Sequence, residues 1–139
     1  MFRQHQFDKV EMVSITPPEK SVEEHEFLVS MEEEFVKKLK LPYQKVLIGS
    51  GDLGPTAAKK IDIEAWFPSQ ARYRETHSAS NCTDFQTRRL GVKYRTSDGQ
   101  DKLAHSLNGT LATERLLISY IENNQHPDGS VSLPRHWRI

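Results

Sequence analysis

The sequence has one cysteine among its 139 residues and no excess of either charge. Cys82 alone cannot form an internal disulfide or a cysteine-rich zinc site, which fits a reducing compartment, by default the cytoplasm. Lysine plus arginine and aspartate plus glutamate both number 19. No overall field therefore attracts nucleic acid, and any contact with RNA has to be local.

Long apolar runs are absent as well. The most apolar stretch, residues 116–121, is far too short to cross a bilayer, and the first residues lack the apolar core of a secretory signal. The glycine-rich fingerprints of Rossmann and P-loop nucleotide sites do not occur. Because repeats and Gly/Ser-rich linkers are also missing, residues 1–139 are expected to form one domain that does not enter a membrane.

Several segments have the alternating pattern of β-strands. Asp98-Gly99 is typical of a hairpin turn between two of them. The clearest alternation has Ile61, Ile63, Ala65 and Phe67 on one face. Strands are predicted at residues 7–14, 45–48, 61–67, 74–80, 92–95 and 102–107.

Three helices are predicted between these strands. Ser21 and Glu24 have the spacing of a capping box, which would start the first helix. A short helix at residues 83–90 would end at Gly91, and a second long helix would begin near Thr110. Strands joined by hairpins, with helices between them, indicate an α+β domain on an antiparallel sheet. The apolar residues expected to face the core are Phe27, Met31, Phe35 and Leu39 in the first helix, and Leu111, Leu116, Leu117, Ile118 and Ile121 in the last.

The first polar cluster lies at residues 3–11. On a strand, Arg3, Phe7 and Glu11 share one face, because side chains repeat every two residues. A cation, an aromatic ring and an anion in line could bind a phosphate, a stacked base and an ammonium group. The alternative is a solvated strand face with a partly buried phenylalanine.

The second polar cluster lies at residues 72–81. Glu75 and Ser78 offer hard oxygen ligands that suit Mg²⁺ on nucleotide phosphates, although a glutamate in an arginine-rich stretch is more often ion-paired at the surface. His77 lacks spaced histidine or cysteine partners, so a hydrogen-bonded structural histidine is favoured over a zinc ligand. Cys82 is interpreted as a small buried hydrophobe.

The third cluster, residues 106–110, leads into the last predicted helix, which carries Arg115. A corner between a strand and a helix presents free backbone N–H groups and a hydroxyl to a small polar ligand. Simple capping of the helix by Asn108 or Thr110 is the alternative.

In their order along the chain and in their residue sequences, these clusters resemble the motifs of the seryl-tRNA synthetases, which are class II enzymes. Arg-Gln-His-Gln-Phe-Asp-Lys-Val-Glu-Met resembles the second half of their motif 2. Ser-Gly-Asp-Leu-Gly-Pro resembles the start of the core strands that follow, and Tyr-Arg-Glu-Thr-His-Ser-Ala-Ser-Asn-Cys-Thr-Asp-Phe-Gln resembles the ATP-side strand and helix. His-Ser-Leu-Asn-Gly-Thr with Ile-Glu-Asn-Asn-Gln resembles motif 3. The resemblance covers nearly the whole chain and implies a class II catalytic core, from motif 2 to motif 3.

The resemblance implies a role for each matching residue. The implied activity is ATP-dependent activation of L-serine and its transfer to tRNA(Ser), with Mg²⁺ bound to the ATP and a homodimer as the full-length assembly. Arg3 and Arg115 would be the catalytic residues, each contacting a phosphate of ATP, and Phe7 would stack on adenine. The implied sets are Arg3, Phe7, Glu75, Thr76, His77, Ser78 and Arg115 for ATP, Glu75 and Ser78 for the metal, and Glu11, Asn108 and Thr110 for serine.

The chain also departs from the family pattern. Motif 1, the first strand of motif 2, the Thr-x-Glu serine loop and the N-terminal coiled-coil arm have no counterpart here, so the isolated chain is expected to be inactive with an exposed sheet edge. The stretch from Thr110 to Arg115 is one residue shorter than usual, which predicts strain at residues 111–114. Two hypotheses follow: a synthetase catalytic fragment, or a paralogue with a binding or regulatory role and no aminoacylation.

Overall fold

A computed structural model describes residues 4–134. Its main elements, besides two short 3₁₀ turns, are β1 (Lys9–Thr16), α1 (Ser21–Lys38), β2 (Tyr43–Leu47), β3 (Lys59–Phe67), β4 (Arg72–Asn81), α2 (Phe85–Leu90), β5 (Lys93–Arg95), β6 (Asp101–Leu103), β7 (His105–Thr113) and α3 (Glu114–Asn124). Within this range, five antiparallel strands form a sheet in the order β1-β7-β4-β3-β2, and β5 pairs with β6 in a separate hairpin. The predicted α+β class and antiparallel sheet are confirmed.

Strand β3 and the small turns behave as the sequence predicts. Ile63, Ala65 and Phe67 are fully buried, while the intervening side chains point to the opposite face. Gly91 ends α2 in the left-handed conformation, at φ 70°, and Gly99 has φ 84° in the β5-β6 hairpin. A side chain would strain the backbone at both positions.

Helix α1 packs on one face of the sheet, but not through the predicted residues. Phe27 is 53 % exposed, Met31 and Phe35 are only partly buried, and Leu39 alone of the four is buried. The helix is rotated by about one residue, and its buried face includes three polar side chains that hid the pattern. That face consists of Ser21, His25, Leu28, Val29, Glu32 and Val36.

The predicted capping box is also wrong. The Ser21 hydroxyl donates to the backbone oxygen of Pro18 at 2.9 Å, and the Glu24 carboxylate accepts from the Ser14 hydroxyl at 2.7 Å. A 3₁₀ turn at Pro18–Lys20 runs directly into α1 and leaves Lys20 at the N-cap. The two side chains therefore have other partners.

The last helix begins later than predicted. Residues 105–113 form β7, and α3 begins only at Glu114. Pairing with β1 from end to end, and with β4 at residues 107–109, holds this segment extended, so tertiary pairing overrides local preference. The predicted strand 102–107 is divided between β6 and β7. In α3, Leu116 is buried as expected, but Leu117 and Ile121 are 46 % and 44 % exposed.

Two β-bulges interrupt the sheet. Between β3 and β4, Ile63 pairs with His77 and Glu64 with Glu75, which leaves Thr76 as an extra residue. Between β1 and β7, Val10 pairs with Ala112 and Glu11 with Thr110, which leaves Leu111 unpaired. Each bulge shifts the alternation of side chains by one residue and so changes which residues share a face.

Candidate active site

Glu11, Asn108 and Thr110 meet on the sheet face opposite α1. The Asn108 amide donates to one oxygen of the Glu11 carboxylate at 2.9 Å, and the Thr110 hydroxyl donates to the other at 3.1 Å. Lys9 Nζ lies 3.8 Å from the same carboxylate. The side chain of Glu11 remains 28 % exposed, so an anion with oriented neighbours is open to a small cationic ligand. We call Glu11, Asn108 and Thr110 the Glu11 cluster.

A cleft lies beside the Glu11 cluster, at the end of the sheet where α3 begins. It encloses about 210 Å³ and contains five residues that the sequence predicts for ATP or serine: Phe7, Glu75, Thr76, Thr110 and Arg115. Thr110 belongs both to this cleft and to the Glu11 cluster. The structure thus brings residues from three separate polar segments into one site.

Five further residues line the cleft that sequence reasoning did not select. Lys9 could have been found, because it lies on the strand between Phe7 and Glu11 and repeats their spacing of two. Thr113 could not, because a regular strand would turn it away from Thr110, and only the bulge at Leu111 places both on one face. The five residues are Gln4, Lys9, Thr113, Glu114 and Ile118.

Arg115 and Glu75 are paired across the cleft. Nη1 of Arg115 donates to the backbone oxygen of Glu75 at 2.8 Å and lies 3.7 Å from its carboxylate. Their side chains are 35 % and 44 % exposed, so both charges can also contact a ligand. A guanidinium and a carboxylate facing one cleft suit a phosphate with its cation.

The bulge at Thr76 brings Glu75 and Ser78 to the same face of β4. Residues three apart in a regular strand point to opposite faces, but Glu75 pairs with Glu64 and Ser78 with Asp62, which share one face of β3. No three His, Cys, Asp or Glu side chains gather into a metal site within residues 4–134. Two oxygen donors fit Mg²⁺ that takes its remaining ligands from phosphates and water.

His77 lies inside the protein and does not line the cleft. Its ring is 1 % exposed and makes an edge-on contact with Phe35 of α1, with 6.5 Å between ring centroids. Nε2 donates to the backbone oxygen of Leu111 at 3.0 Å, so Nδ1 is left to accept from the Thr76 hydroxyl at 2.9 Å. Burial lowers the pKa of His77 to about 4, which keeps the ring neutral. This geometry is that of a structural histidine.

Two other candidates are Cys82 and Arg3. Cys82 is 2 % exposed, and burial raises the pKa of its thiol, which favours the unreactive protonated form. Arg3, predicted to contact a phosphate, lies outside the described residues.

A family model for the class II tRNA synthetase core domain, shared by the G, H, P, S and T enzymes, matches residues 1–124. The chain belongs to this family. Serine–tRNA ligase from Corynebacterium kroppenstedtii is 52 % identical over 134 residues, which are 96 % of this chain and 32 % of that protein. The ligase from Bifidobacterium adolescentis is 49 % identical over 138 residues, again 32 % of its length. The chain thus spans about a third of the curated relatives it matches.

Solved structures agree with this membership. Seryl-tRNA synthetase from Pyrococcus horikoshii, complexed with ATP, is 46 % identical and superposes with a TM-score of 0.92 over 97 % of this chain and 31 % of that one. Prolyl-tRNA synthetase from Cryptosporidium parvum, at 17 % identity and a TM-score of 0.74 over 88 % of this chain and 27 % of its own, shares the fold. The class II fold predicted from the sequence is therefore confirmed. Among the helices at residues 4–134, none is long and apolar enough to cross a membrane.

Proposed function

We propose that this chain forms the serine-binding and ATP-binding part of a serine–tRNA ligase active site, where seryl-adenylate is made. The observation that carries the proposal is the position of Thr110, which donates to Glu11 and also lines the cleft with Phe7, Glu75 and Arg115. An amino acid at Glu11 would therefore have its carboxylate next to a nucleotide in the cleft. The serine–tRNA ligases among the relatives support this assignment.

The cleft residues are assigned to ATP. Phe7 is 51 % exposed and is free to stack on adenine. Arg115 would contact the γ-phosphate, and Arg3 another phosphate. Glu75 and Ser78 would hold Mg²⁺, which neutralises phosphate charge when bound. Thr76 lines the nucleotide site directly, whereas His77 would act only through the strand that it supports.

The Glu11 cluster is assigned to L-serine. The ammonium group of serine would bind the Glu11 carboxylate in place of the two side chains that now donate to it. Asn108 and Thr110 would then be released to contact the serine backbone and hydroxyl. A buried site that hydrogen-bonds a substrate hydroxyl rejects analogues without it, because its polar groups are left unpaired.

The chemistry needs positioning more than proton transfer. A carboxylate oxygen of serine attacks the α-phosphorus, the bond to the β-phosphate oxygen breaks, and pyrophosphate leaves with that electron pair. Holding the two substrates in line and neutralising phosphate charge account for most of the catalysis of such transfers. Arg115 would supply positive charge, Glu75 and Ser78 would hold the Mg²⁺ that supplies more of it, and Glu11 would orient serine.

The proposal also covers the complete aminoacylation reaction, the assembly and the location of the protein. Transfer of serine to tRNA(Ser), assembly as a homodimer and a cytoplasmic location are assigned on the resemblance to serine–tRNA ligases, which are about three times as long as this chain. We expect the isolated chain to bind ligands but to show no serine-dependent ATP–pyrophosphate exchange above background. Exchange at the rate of a full-length ligase would contradict that expectation.

Calorimetry with a sulfamoyl analogue of seryl-adenylate tests the proposal. The chain should bind it, and Glu11→Gln should weaken binding at least tenfold, because a charge-assisted contact is lost. Glu19→Gln, an exposed carboxylate outside the site, is the matched control and should bind normally. Equal affinity for seryl and alanyl analogues, or an unaffected Glu11→Gln, would contradict the assignment.

A further inference from the structure

Glu32 is an unusual residue in the buried face of α1. Its side chain has no exposed surface, and neither carboxyl oxygen makes a hydrogen bond of good geometry among residues 4–134, the backbone of Thr110 making only a weaker contact. An isolated buried carboxylate is costly, whereas a protonated carboxyl group costs much less. Burial and then repulsion from Asp62 and Glu11 raise the pKa of Glu32 to about 9, and the backbone of Thr110 opposes this only in part. Glu32 is therefore neutral at pH 7.

Glu32 lies directly beneath the middle of the Glu11 cluster. Gly109 is the residue between Asn108 and Thr110, and it faces α1 while they face the site. A Cβ atom built on Gly109 would lie 3.1 Å from Oε1 of Glu32 and 3.2 Å from Cε of Met12. The absence of a side chain at Gly109 thus allows the carboxyl group to pack against the strand itself.

We propose that Glu32 is a positioning residue for serine recognition. Its carboxyl group packs against Gly109 and sets the distance between the Asn108–Thr110 segment and α1. The proposal rests on the proposed function only for the identity of the ligand. A shorter side chain would let the segment sink toward α1, and a charged one would push it away or draw in water. Either movement changes how the donors of Asn108 and Thr110 meet Glu11, and displacements of about 1 Å at such contacts are costly.

The groups around Glu32 determine whether its side chain can ionise without moving the Asn108–Thr110 segment. Glu11 on β1 and Asp62 on β3 are the carboxylates that act on it, β7 contributes the backbone of Thr110, and β4 presents the neutral ring of His77 to α1. No cation among these groups compensates an ionised Glu32. Raising the pH should therefore displace the segment in the wild-type chain but not in Glu32→Gln.

Three variants distinguish a positioning role of Glu32 from a contribution to the stability of the fold. Glu32→Gln keeps size and neutrality and should retain the wild-type affinity for the seryl-adenylate analogue within twofold at pH 7. Glu32→Ala removes the packing and should bind at least tenfold more weakly. Val36→Ala truncates an equally buried residue one turn further along α1, and it should lose stability without losing affinity.

A rescue pair keeps the test independent of how well Glu32→Ala folds. Gly109→Ala should weaken binding, since its Cβ meets the Glu32 carboxyl group, and the shorter side chain of Glu32→Asp should restore part of the affinity in the double variant. Absence of rescue, together with normal binding by Glu32→Ala, would overturn the proposal.

Nuclear magnetic resonance of the ligand-free chain separates this inference from the proposed function. The methyl resonance of Thr110 should shift with pH, with a midpoint near that of Glu32, and should not shift in Glu32→Gln. If the wild-type chain bound no seryl analogue, the proposed function would fail, but this shift would still support the positioning role. A Thr110 methyl resonance with the same pH response in both chains would contradict it.

Discussion

His77 and Leu111 connect the two bulges of the sheet. The ring of His77, next to the bulged Thr76 on β4, donates from Nε2 to the backbone oxygen of Leu111, the bulged residue of β7. One bulge turns Glu75 and Ser78 to the same face, and the other does so for Thr110 and Thr113. A single, partly buried hydrogen bond thus joins the two backbone irregularities on which the site depends.

Removal of the His77 ring should destabilise the fold and loosen both bulges. His77→Ala removes the ring that donates to the partly buried carbonyl of Leu111 and opens a cavity, which should cost about 2–4 kcal/mol in the free energy of unfolding. His77→Gln, which can still donate, should cost less. The exposed His126→Ala is the control, and denaturant unfolding measures all three. A cost for His77→Ala no larger than that of the control would count against this bridge.

The same histidine predicts a pH dependence of stability. Its folded pKa of about 4 lies below the ordinary value of 6.5, so the unfolded chain binds a proton first as the pH falls. Relative to His77→Gln, the wild-type chain should lose stability between about pH 6.5 and pH 4, by up to about 1.4 kcal/mol per pH unit. Parallel stability curves for the two proteins would show that His77 does not titrate in this way.

Much of the fold and the site could be predicted from the sequence, but the bulges could not. The period of two along β3 is visible because Ile63, Ala65 and Phe67 are apolar. By contrast, Thr110 to Thr113 has no pattern that separates a bulged strand from the start of a helix, since pairing with β1 decides it. Glu32 was missed because a charged residue in an apolar face looks like an exposed one.

The role of Glu75 is tested by its affinity for Mg²⁺-ATP. Glu75→Gln should weaken binding at least fivefold in calorimetry, because it removes a charged oxygen ligand, and should leave ATP binding without Mg²⁺ nearly unchanged. Glu64→Gln is the matched control, since Glu64 pairs with Glu75 on the neighbouring strand. Equal losses with and without the metal would argue against a metal contact.

The stretch from Thr110 to Arg115, which the resemblance predicts to be short, is mostly strand in the structure and not helix. A helix starting near Thr110 would have put strain on residues 111–114, and one inserted residue would then have restored activity. Instead, residues 111–113 belong to β7, and Arg115 already reaches Glu75. Inserting one alanine after Thr110 should therefore weaken Mg²⁺-ATP binding at least tenfold. Tighter binding after the insertion would favour the helical interpretation.

The central claim is that serine and ATP occupy adjoining sites that meet at Thr110. Methyl resonances of the chain, followed while L-serine, Mg²⁺-ATP and the seryl-adenylate analogue are added separately, test it most directly. L-Serine should shift Thr110 but not Ile118, Mg²⁺-ATP should shift Thr113 and Ile118, and the analogue should shift all three. If the analogue binds and leaves Thr110 unchanged, or if serine and ATP perturb unrelated surfaces, the account of this site is wrong.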